Sequence, residues 1–402
     1  MGLVKESIRY ERNQSPRLVD FTDPLGFARK ATNYVFVMEY HEDAWQNPRI
    51  APYDTAIAQL GLTAMSAVFH YGQSIFEGLK AFMQPDGEVA LWRPDLNAER
   101  LNRSVRRMSM PKIPVEETID AIEALVDHER AWVPNSEGGR SLYVRPFMFA
   151  TTPEMGVKPA RDYAFVILVS PTGDYYPSGL QGIDVLIQYS DDPSQITRRT
   201  CYGGTGEAKC GGNYGASMQA VETAKSRGAS QVLFTGFKDP NKTGRYEEYL
   251  EETAASNFYF VTREGEMVIP TWDGTILRSH TVICLEELAS GGYLDISIRR
   301  EHVSLKQYLR DVQEGKVTEA GGIGTAAVIG PITGHVFQAF SPLQIGYNVF
   351  QDGQRLGIGD GQIGPVTRRI REEYIALQRG LRGHIERDKE YHHIVPKRRR
   401  SL

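Results

Sequence analysis

The stretch GEAKCGGNYG, residues 206–215, places Lys209 in a glycine-rich setting. Lysine is strongly hydrated, so its position in a predicted glycine-lined turn indicates a use for its amine. Glycine also allows a ligand to approach the backbone closely. A lysine amine can form a Schiff base with an aldehyde cofactor, and a carboxylate can keep a pyridine nitrogen protonated so that the ring accepts electrons. Lys209 and Glu252 are the candidates for these two tasks.

A phosphate on such a cofactor would need an arginine together with backbone or hydroxyl donors. The candidates are Arg100, Thr281 and the GIGT turn at 322–325. Each also has an ordinary structural explanation. A lysine in a loop or an acid in a segment such as EEYLEET is usually solvated, and Arg100 could pair along its helix with Asp95 or Glu99. The chemical interpretation therefore rests on the joint pattern.

Two other glycine motifs fit known nucleotide sites poorly. In GGTGEAKC, Ala208 and Cys210 occupy places where a P-loop needs Gly and then Ser or Thr. The run from Gly322 to Ala327 formally matches G-x-G-x-x-A, but Gly330 and Pro331 exclude the helix that a dinucleotide fold requires. We predict instead that this turn offers backbone amides to an anion. The sequence contains no HExxH, GxSxG or clustered ligand set, so it predicts no metal.

Composition limits the classes of partner and the location. The 402 residues carry a formal charge of −4, and the basic VPKRRRSL is typical of a solvated tail, so no nucleic-acid binding is expected. The three cysteines, an odd number without CxxC spacing, indicate a reducing compartment. The first residues lack an apolar leader, and the longest apolar run, 163–169, is too short to span a bilayer. We expect a cytoplasmic protein without membrane contact, and an organelle form stays open.

The hydrophobic pattern predicts an α+β protein with two domains. Predicted strands lie at 33–42, 87–94, 141–150, 163–170, 183–190 and 231–237, with a hairpin at 257–270 that turns at Glu264-Gly265. Predicted helices lie at 96–108, 114–132, 216–229, 280–290, 305–315 and 365–383. The run PTGDYYPSGLQG (171–182) interrupts this periodicity. We therefore predict a smaller N-terminal domain at 1–175, an interdomain loop at 176–188, and a larger C-terminal domain at 189–402 that carries Lys209.

Seven ordered blocks resemble one enzyme family over residues 34–383. They are HYGQSIFEGLKAF (70–82), LWRPDLNAERLNRS (91–104), SLYVRPF (141–147), KCGGNYG (209–215), EETAASNFYFV (251–261), DGTILRSHT (273–281) and GIGTAA (322–327). The chain is similar to branched-chain amino-acid aminotransferases, which are pyridoxal 5'-phosphate enzymes of fold type IV, the D-amino-acid aminotransferase-like fold. The resemblance implies reversible transfer of the amino group of L-leucine, L-isoleucine or L-valine to 2-oxoglutarate, and it implies a homodimer.

The resemblance also implies roles for individual residues. Lys209 corresponds to the Schiff-base lysine, which also moves the substrate proton, Tyr214 to the tyrosine at the cofactor's phenolic oxygen, and Glu252 to the carboxylate at the pyridine nitrogen. The implied phosphate site consists of Arg100, the amides of His280 and Thr281, and Thr325. The implied substrate site consists of Tyr71, Phe76, Tyr143, Arg145 beside Tyr71, and backbone amides near Thr325 and Ala326.

Two departures from the family pattern are visible. AAVIG (326–330) stands where the animal forms have a CxxC pair, and LRSH (277–280) replaces the common Leu-Pro-Gly-Val. Three alternatives stay open at this point: a D-amino-acid aminotransferase, an aminodeoxychorismate lyase, or a catalytically inactive paralogue. The sequence does not rank the three branched-chain substrates, because one methylene changes binding by only ~1–3 kcal/mol.

Overall fold

The computed structural model describes residues 2–22, 25–173, 180–325, 328–381 and 391–397. Its helices are α1 (Leu3–Ser7), α2 (Tyr53–Ala56), α3 (Ala67–Tyr71), α4 (Pro94–Arg107), α5 (Val115–His128), α6 (Gly211–Ser226), α7 (His280–Ser290), α8 (Leu305–Gln313) and α9 (Pro365–Gln378).

The strands alternate with these helices along the whole chain, which confirms the predicted α+β class. They are β1 (Arg9–Tyr10), β2 (Tyr34–His41), β3 (Ala44–Pro52), β4 (Ser74–Phe76), β5 (Leu79–Met83), β6 (Val89–Trp92), β7 (Ser141–Ala150), β8 (Tyr163–Thr172), β9 (Ile183–Tyr189), β10 (Gln231–Lys238), β11 (Glu247–Thr253), β12 (Asn257–Thr262), β13 (Met267–Pro270), β14 (Ile298–Glu301), β15 (Val317–Gly324), β16 (Val328–Ala339), β17 (Leu343–Ile345), β18 (Asn348–Phe350), β19 (Arg355–Gly357) and β20 (His392–Ile394).

The chain divides into two compact units that are not continuous in sequence. The first unit comprises Met1–Pro177, Ala208–Gly211 and Ala376–Leu402, and the second comprises Ser178–Glu207 and Gly212–Ile375. Lys209 therefore groups with the first unit, whereas the sequence places it in the C-terminal domain. The grouping follows from packing, because Ala208 and Cys210 are buried in the hydrophobic core of the first unit. The predicted domain limits themselves stay a prediction.

A nine-stranded sheet forms the framework of the first unit. Its order is β1-β3-β2-β8-β7-β5-β6-β20, and β4 pairs with β7. The residues of β8 read as a nearly continuous run of β-branched and aromatic side chains, which is typical of a strand covered on both faces, and nearly all of them are buried. At the sheet edge, β20 pairs antiparallel with β6, and the following Val395 lies in the core. A segment near the end of the chain thus completes the sheet begun by its first residues.

The second unit contains a sheet in which six strands form a closed circuit. Its order is β11-β10-β9-β16-β15-β12-β13-β14, with β19 paired to β16, and β11 also pairs with β12. The contact that closes the circuit is the pairing of Glu252 with Asn257. Glu252 therefore lies where two strands meet after a short turn.

Several predicted elements are confirmed at their residues. The hairpin of β12 and β13 turns at Gly265, whose φ of +83° is the left-handed value that glycine adopts easily. Gly330 and Pro331 lie in strand β16, in agreement with the predicted absence of a helix after the GIGT turn. Residues 183–188, which were included in the predicted interdomain loop, form most of β9. The preceding residues 174–179 lie outside the described part of the chain.

The glycine-lined turn after Lys209 is a wrong prediction. Helix α6 begins at Gly211, so the Gly-Gly-Asn-Tyr-Gly run forms its first turns. The helix starts early because the side chain of Asn213 exchanges two hydrogen bonds with Thr205, donating to its carbonyl and accepting from its hydroxyl. These bonds tie the first turn to the preceding loop. Turn geometry is confined to the glycines before the lysine, where Gly203 has a φ of +71°.

Within the described ranges, none of the helices has the length and apolar character needed to cross a bilayer.

Candidate active site

The backbone of Lys209 is held by two elements of the first unit. Its amide donates to Oγ of Ser104 on α4 over 2.9 Å, and its carbonyl accepts from the amide of Phe76 over 2.9 Å. The next residue, Cys210, forms an antiparallel bridge with Ile75. The lysine segment therefore runs beside β4 as a short extra strand, and the main chain of Lys209 is fixed.

The side chain of Lys209 lies over an aromatic ring. Its Nζ is 4.9 Å from the ring centroid of Phe76, and the guanidinium carbon of Arg145 is 4.7 Å from the same centroid. Arg145 also donates from Nε and Nη2 to the hydroxyl of Tyr143, at 3.1 and 2.8 Å. We call Lys209, Phe76, Tyr143, Arg145 and Ser104 the lysine group. It combines two cations with two aromatic rings and two hydroxyls.

Arg145 bonds Tyr143, because residues two apart on β7 project to the same face of the sheet. Its predicted place beside Tyr71 stays a prediction. Tyr71 ends the short helix α3, is 42% exposed, and donates its hydroxyl to the carbonyl of Met155. The structure thus brings Phe76, Tyr143 and Arg145 together with Lys209, whereas the hydroxyl of Tyr71 bonds the loop that contains Met155.

Arg100 forms a buried ion pair with Glu77. Its Nε and Nη2 donate to the two carboxylate oxygens over 2.7 and 2.9 Å, and Asn97 donates to the same carboxylate. The two predicted helical partners of Arg100 pair elsewhere: Asp95 with Arg93, and Glu99 with Arg103. A guanidinium has five N–H donors, of which the pairing with Glu77 uses two. Glu77 therefore sets the plane in which the other donors of Arg100 point.

Glu252 is the centre of a second cluster, in the second unit. Its Oε1 accepts from the amide of Leu277 over 2.8 Å and lies 2.5 Å from Nη2 of Arg199. Its Oε2 accepts from Nδ2 of Asn257 over 2.9 Å. We call Glu252, Arg199, Asn257 and Leu277 the carboxylate group. A guanidinium and two N–H donors thus surround the negative charge of this carboxylate and stabilise it.

Arg199 connects Glu252 with the segment that leads to the lysine. Besides the carboxylate, its Nη2 donates to the carbonyls of Thr275 and Gly206, at 2.6 and 3.2 Å. Gly206 packs directly on the backbone of Gly274 and Thr275, where a Cβ would come within 2.6 Å of main-chain atoms. Only glycine allows this approach. The glycine-rich motif before Lys209 thus has a packing function in the second unit.

The remaining predicted phosphate ligands also lie in the second unit. Oγ of Ser279 accepts from the amide of Val282 and caps α7, whose first residues are His280 and Thr281. The first amides of a helix lack intrahelical acceptors and favour anions. Thr325 follows β15, which packs against α7, and Tyr214 lies in the first turns of α6. Ala326 lies outside the described residues. The ligand roles of these residues stay predictions.

Four residues of these clusters were not singled out from the sequence: Ser104, Glu77, Arg199 and Asn257. Ser104 could have been found, because it follows Arg100 by four residues and so shares its face of the helix. Arg199 had a weaker signal as an arginine shortly before a glycine motif. Glu77 and Asn257 stand in the blocks FEGLK and SNFYF, but nothing in their local pattern indicates partners on other elements.

The chain belongs to the class IV aminotransferase family, whose model matches residues 74–333. It is 40% identical over 374 residues to branched-chain-amino-acid transaminase 1 of Bacillus subtilis, covering 92% of this chain and 95% of the relative. It is 34% identical to branched-chain-amino-acid aminotransferase 2 of the same organism, covering 94% of this chain and 95% of the relative.

Solved structures share the fold, which is that of the fold type IV enzymes. The Escherichia coli branched-chain amino acid aminotransferase superposes with a TM-score of 0.66 at 22% identity, covering 91% of this chain and all of that chain. The branched-chain amino acid aminotransferase of Thermobaculum terrenum in its PLP form also gives 0.66, at 20% identity, covering 92% of this chain and all of that chain.

Proposed function

We propose that this protein is a branched-chain amino-acid aminotransferase that moves the amino group of L-leucine, L-isoleucine or L-valine reversibly to 2-oxoglutarate. The observation that carries the proposal is that one class IV chain contains two unlike groups. One is an amine over the Phe76 ring, and the other is a carboxylate held by a guanidinium and two N–H donors. The 40% identity to a Bacillus subtilis branched-chain-amino-acid transaminase supports the substrate class.

The residues present fit pyridoxal 5'-phosphate. When bound, this cofactor supplies an aldehyde carbon that takes up the amino group and a ring that spreads the electron pair left at the substrate α-carbon. Glu252 would face the ring nitrogen and Tyr214 the phenolic oxygen. The phosphate would be held by Arg100, Thr325 and the first amides of α7. The donor set matches the group, because a carboxylate with three donors, a basic side chain and a helix N-terminus are the partners that a protonated pyridine and a phosphate need.

Lys209 has two tasks in this proposal. Its amine would anchor the cofactor, and as a free amine it would take the proton from the substrate α-carbon and return it during transfer. The main-chain bonds to Ser104 and Phe76 keep the Cα in place while the side chain moves. The Phe76 ring limits the hydration of the amine, which favours proton transfer to carbon over exchange with water.

The rings of Phe76 and Tyr143 form apolar walls suited to a branched side chain, and both lie against Arg145. Arg145 donates to the Tyr143 hydroxyl, and its positive charge can meet the second carboxylate of glutamate or 2-oxoglutarate. The same surface would accept an apolar side chain in one half-reaction and an acidic one in the other.

One experiment tests the substrate assignment. Purified protein is assayed with 2-oxoglutarate and a panel of donors that includes the three branched-chain amino acids, L-alanine, D-alanine and 4-amino-4-deoxychorismate. We expect the corresponding branched 2-oxo acids and L-glutamate as the dominant products. Turnover of D-alanine above that of L-leucine would contradict the assignment, and a cofactor-bound protein without any turnover would indicate an inactive paralogue.

We further propose a homodimer, because the first unit exposes an apolar surface near Tyr71. Helix α3 and the loop at 152–158 are joined by the backbone bond from Ala67 to Thr152 and by the bond from Tyr71 to Met155. The exposed side chains on these two segments include Phe69, Met155 and Val157, with Val157 87% exposed, and Met65 just before α3 is exposed as well. Tyr71 would then border the substrate site of the partner subunit.

The dimer proposal is tested by sedimentation velocity on the parent and on Phe69→Asp. We expect a dimer for the parent and a monomer with little activity for the variant, since a charge in an apolar interface is costly. Leu18→Asp is a matched control, because Leu18 is also exposed but lies on another segment. An active parent monomer would contradict the proposal.

We place the enzyme in the cytoplasm, an assignment supported by three free cysteines.

A further inference from the structure

A buried lysine with no assigned role lies in the second unit. Lys238, at the end of β10, is 2% exposed, and its Nζ lies 2.7 Å from Oε1 of Glu251 and 2.8 Å from Oδ2 of Asp273. It also donates to Oγ1 of Thr275 over 2.8 Å. One ammonium group thereby joins strand β11 to the loop that follows β13. Buried charges of this kind are stable only when they are paired.

Asp273 and Thr275 form the loop side of this cluster. Thr275 donates its amide and hydroxyl to Oδ1 of Asp273, and the hydroxyl of Tyr202 donates to Oδ2. Burial opposes ionisation of Asp273, but its bonds to Lys238, Tyr202 and Thr275 outweigh burial and lower the pKa of the carboxyl. His302 lies 3.7 Å from the same carboxylate, and burial lowers the pKa of its imidazole. The cluster therefore contains one cation and two carboxylates.

Gly236 leaves the space that the Lys238–Glu251 ion pair occupies. A Cβ on Gly236 would come within 2.4 Å of both Oε1 of Glu251 and Cε of Lys238. Gly236 and Lys238 are two apart on β10 and so project to the same face. Glycine at this position is what allows Lys238 to reach Glu251.

Both the β11 side and the loop side of the cluster are connected to Glu252. Glu251 precedes it directly on β11. On the loop side, the carbonyl of Thr275 accepts from Arg199, which pairs with Glu252, and two residues later the amide of Leu277 donates to Glu252. A shift of the loop away from β11 would therefore move both donors that meet Oε1 of Glu252.

We propose that Lys238 is a positioning residue: it clamps the 273–277 loop to β11 and so fixes the Leu277 amide and Arg199 on the carboxylate that serves the cofactor ring nitrogen. The role of Glu252 toward the cofactor rests on the proposed function, whereas the clamp itself does not. The expected result of releasing the clamp is a carboxylate that is still present but no longer held in one place.

The test uses a double variant that removes the Lys238 cation together with the Glu251 carboxylate and leaves Asp273 bonded to Tyr202 and Thr275. Lys238→Met with Glu251→Gln removes the ion pair while keeping similar volume, and Gly236→Ala disturbs the pair while keeping every charge. Glu248→Gln is the matched control, because Glu248 lies on the same strand and pairs with Arg198, which bonds Thr235 on β10. All proteins are compared for unfolding free energy, so that lost stability is separated from the specific effect.

The first readout needs no cofactor. Amide exchange at Leu277 in cofactor-free protein should speed up at least about tenfold in the double variant and less in Gly236→Ala, relative to amides of β12 in the same protein. The Glu248→Gln control should leave the ratio of the Leu277 exchange rate to the β12 exchange rates unchanged. An unchanged ratio in the double variant would overturn the clamp, whatever the enzyme proves to catalyse.

The second readout uses cofactor labelled with ¹⁵N in the ring. In the double variant we expect the ring-nitrogen resonance to move toward the unprotonated position, and kcat to fall about tenfold with little change in KM. A protonated ring nitrogen with kcat within twofold of the parent would overturn the proposal. If the parent itself fails to transaminate L-leucine, the proposed function fails while the exchange result still decides the clamp.

Discussion

Lys209 and Glu252 both have well-defined partners, but the partners meet different parts of the two residues. Lys209 is bonded through its main chain, to Ser104 and Phe76, and its amine lies over a ring. Glu252 is bonded through its carboxylate, to Arg199, Asn257 and Leu277. In the proposed mechanism, the lysine that would move is thus fixed through its main chain, whereas the carboxylate that would supply a constant charge is fixed directly. Preorganised charge is effective because it needs no rearrangement during the reaction.

The largest effect should come from removing the moving group. Lys209→Ala should lower kcat by at least about 10⁴-fold, because both the covalent anchor and the proton carrier are lost. The measurement is steady-state transamination of L-leucine with 2-oxoglutarate. Lys80→Ala is the control, since Lys80 lies in the neighbouring FEGLK block on β5. Borohydride reduction and peptide mapping should place the cofactor on Lys209 alone. Label on Lys80 would contradict the assignment of Lys209 as the cofactor lysine.

Removing the fixed charge should have the second largest effect. Glu252→Gln keeps the shape and the bond from Leu277 but loses the ion pair with Arg199, so kcat should fall about 10²–10³-fold while the cofactor stays linked to Lys209. The visible spectrum and turnover are measured together. Near-normal turnover would show that the carboxylate takes no part in the reaction.

A pH experiment extends the comparison to one histidine in each unit. His335 in the second unit is fully buried beside Tyr308, and burial lowers the pKa of its imidazole from 6.5 to about 3. Its unfolded pKa is the higher one, so its contribution is present above pH 6.5 and is lost as the pH falls toward 3. Between pH 7 and 5 this costs about 2 kcal/mol of unfolding free energy. Denaturant unfolding at both pH values should show that His335→Gln removes most of this difference.

An exposed histidine of the first unit contributes to the unfolding free energy with the opposite pH dependence. His41 pairs with Asp162, whose hydrogen bond raises the pKa of the imidazole. Its contribution is present at low pH and is lost as the pH rises through the raised pKa. A steeper acid slope in His335→Gln than in the parent would contradict the assignment of the acid sensitivity to the second unit.

The smallest effect should come from the anchor of the lysine backbone. Ser104→Ala removes the acceptor of the Lys209 amide, which costs about 1–2 kcal/mol of stability because a buried donor loses its partner. The amine itself is untouched, so kcat should change by no more than about threefold. A loss of kcat comparable to that of Glu252→Gln would mean that Ser104 acts on the reacting atoms.

Local pattern predicted several of the long elements and few of their side-chain partners. The long strands β3, β11, β15 and β16 were not predicted, because charged residues, prolines or glycines interrupt their pattern. Strand β7 and helix α7 lie at the predicted residues, because hydrophobic periodicity and turn residues specify long elements. The short strands β4 and β5 were missed, since three to five residues give no periodicity. The pairs Glu77–Arg100 and Arg199–Glu252 join residues 23 and 53 positions apart, and only the packed fold brings them together.

The interleaved composition of the two units has a consequence for synthesis. The second unit is nearly one continuous stretch, Ser178–Glu207 and Gly212–Ile375, whereas the sheet of the first unit is completed by β20. Because chains fold domain by domain as they leave the ribosome, the second unit can close while β6 still has an unpaired edge. The four residues Ala208–Gly211 belong to a unit whose sheet is completed only when β20 has been made. Lys209 thus packs into a unit that is still incomplete while the second unit closes.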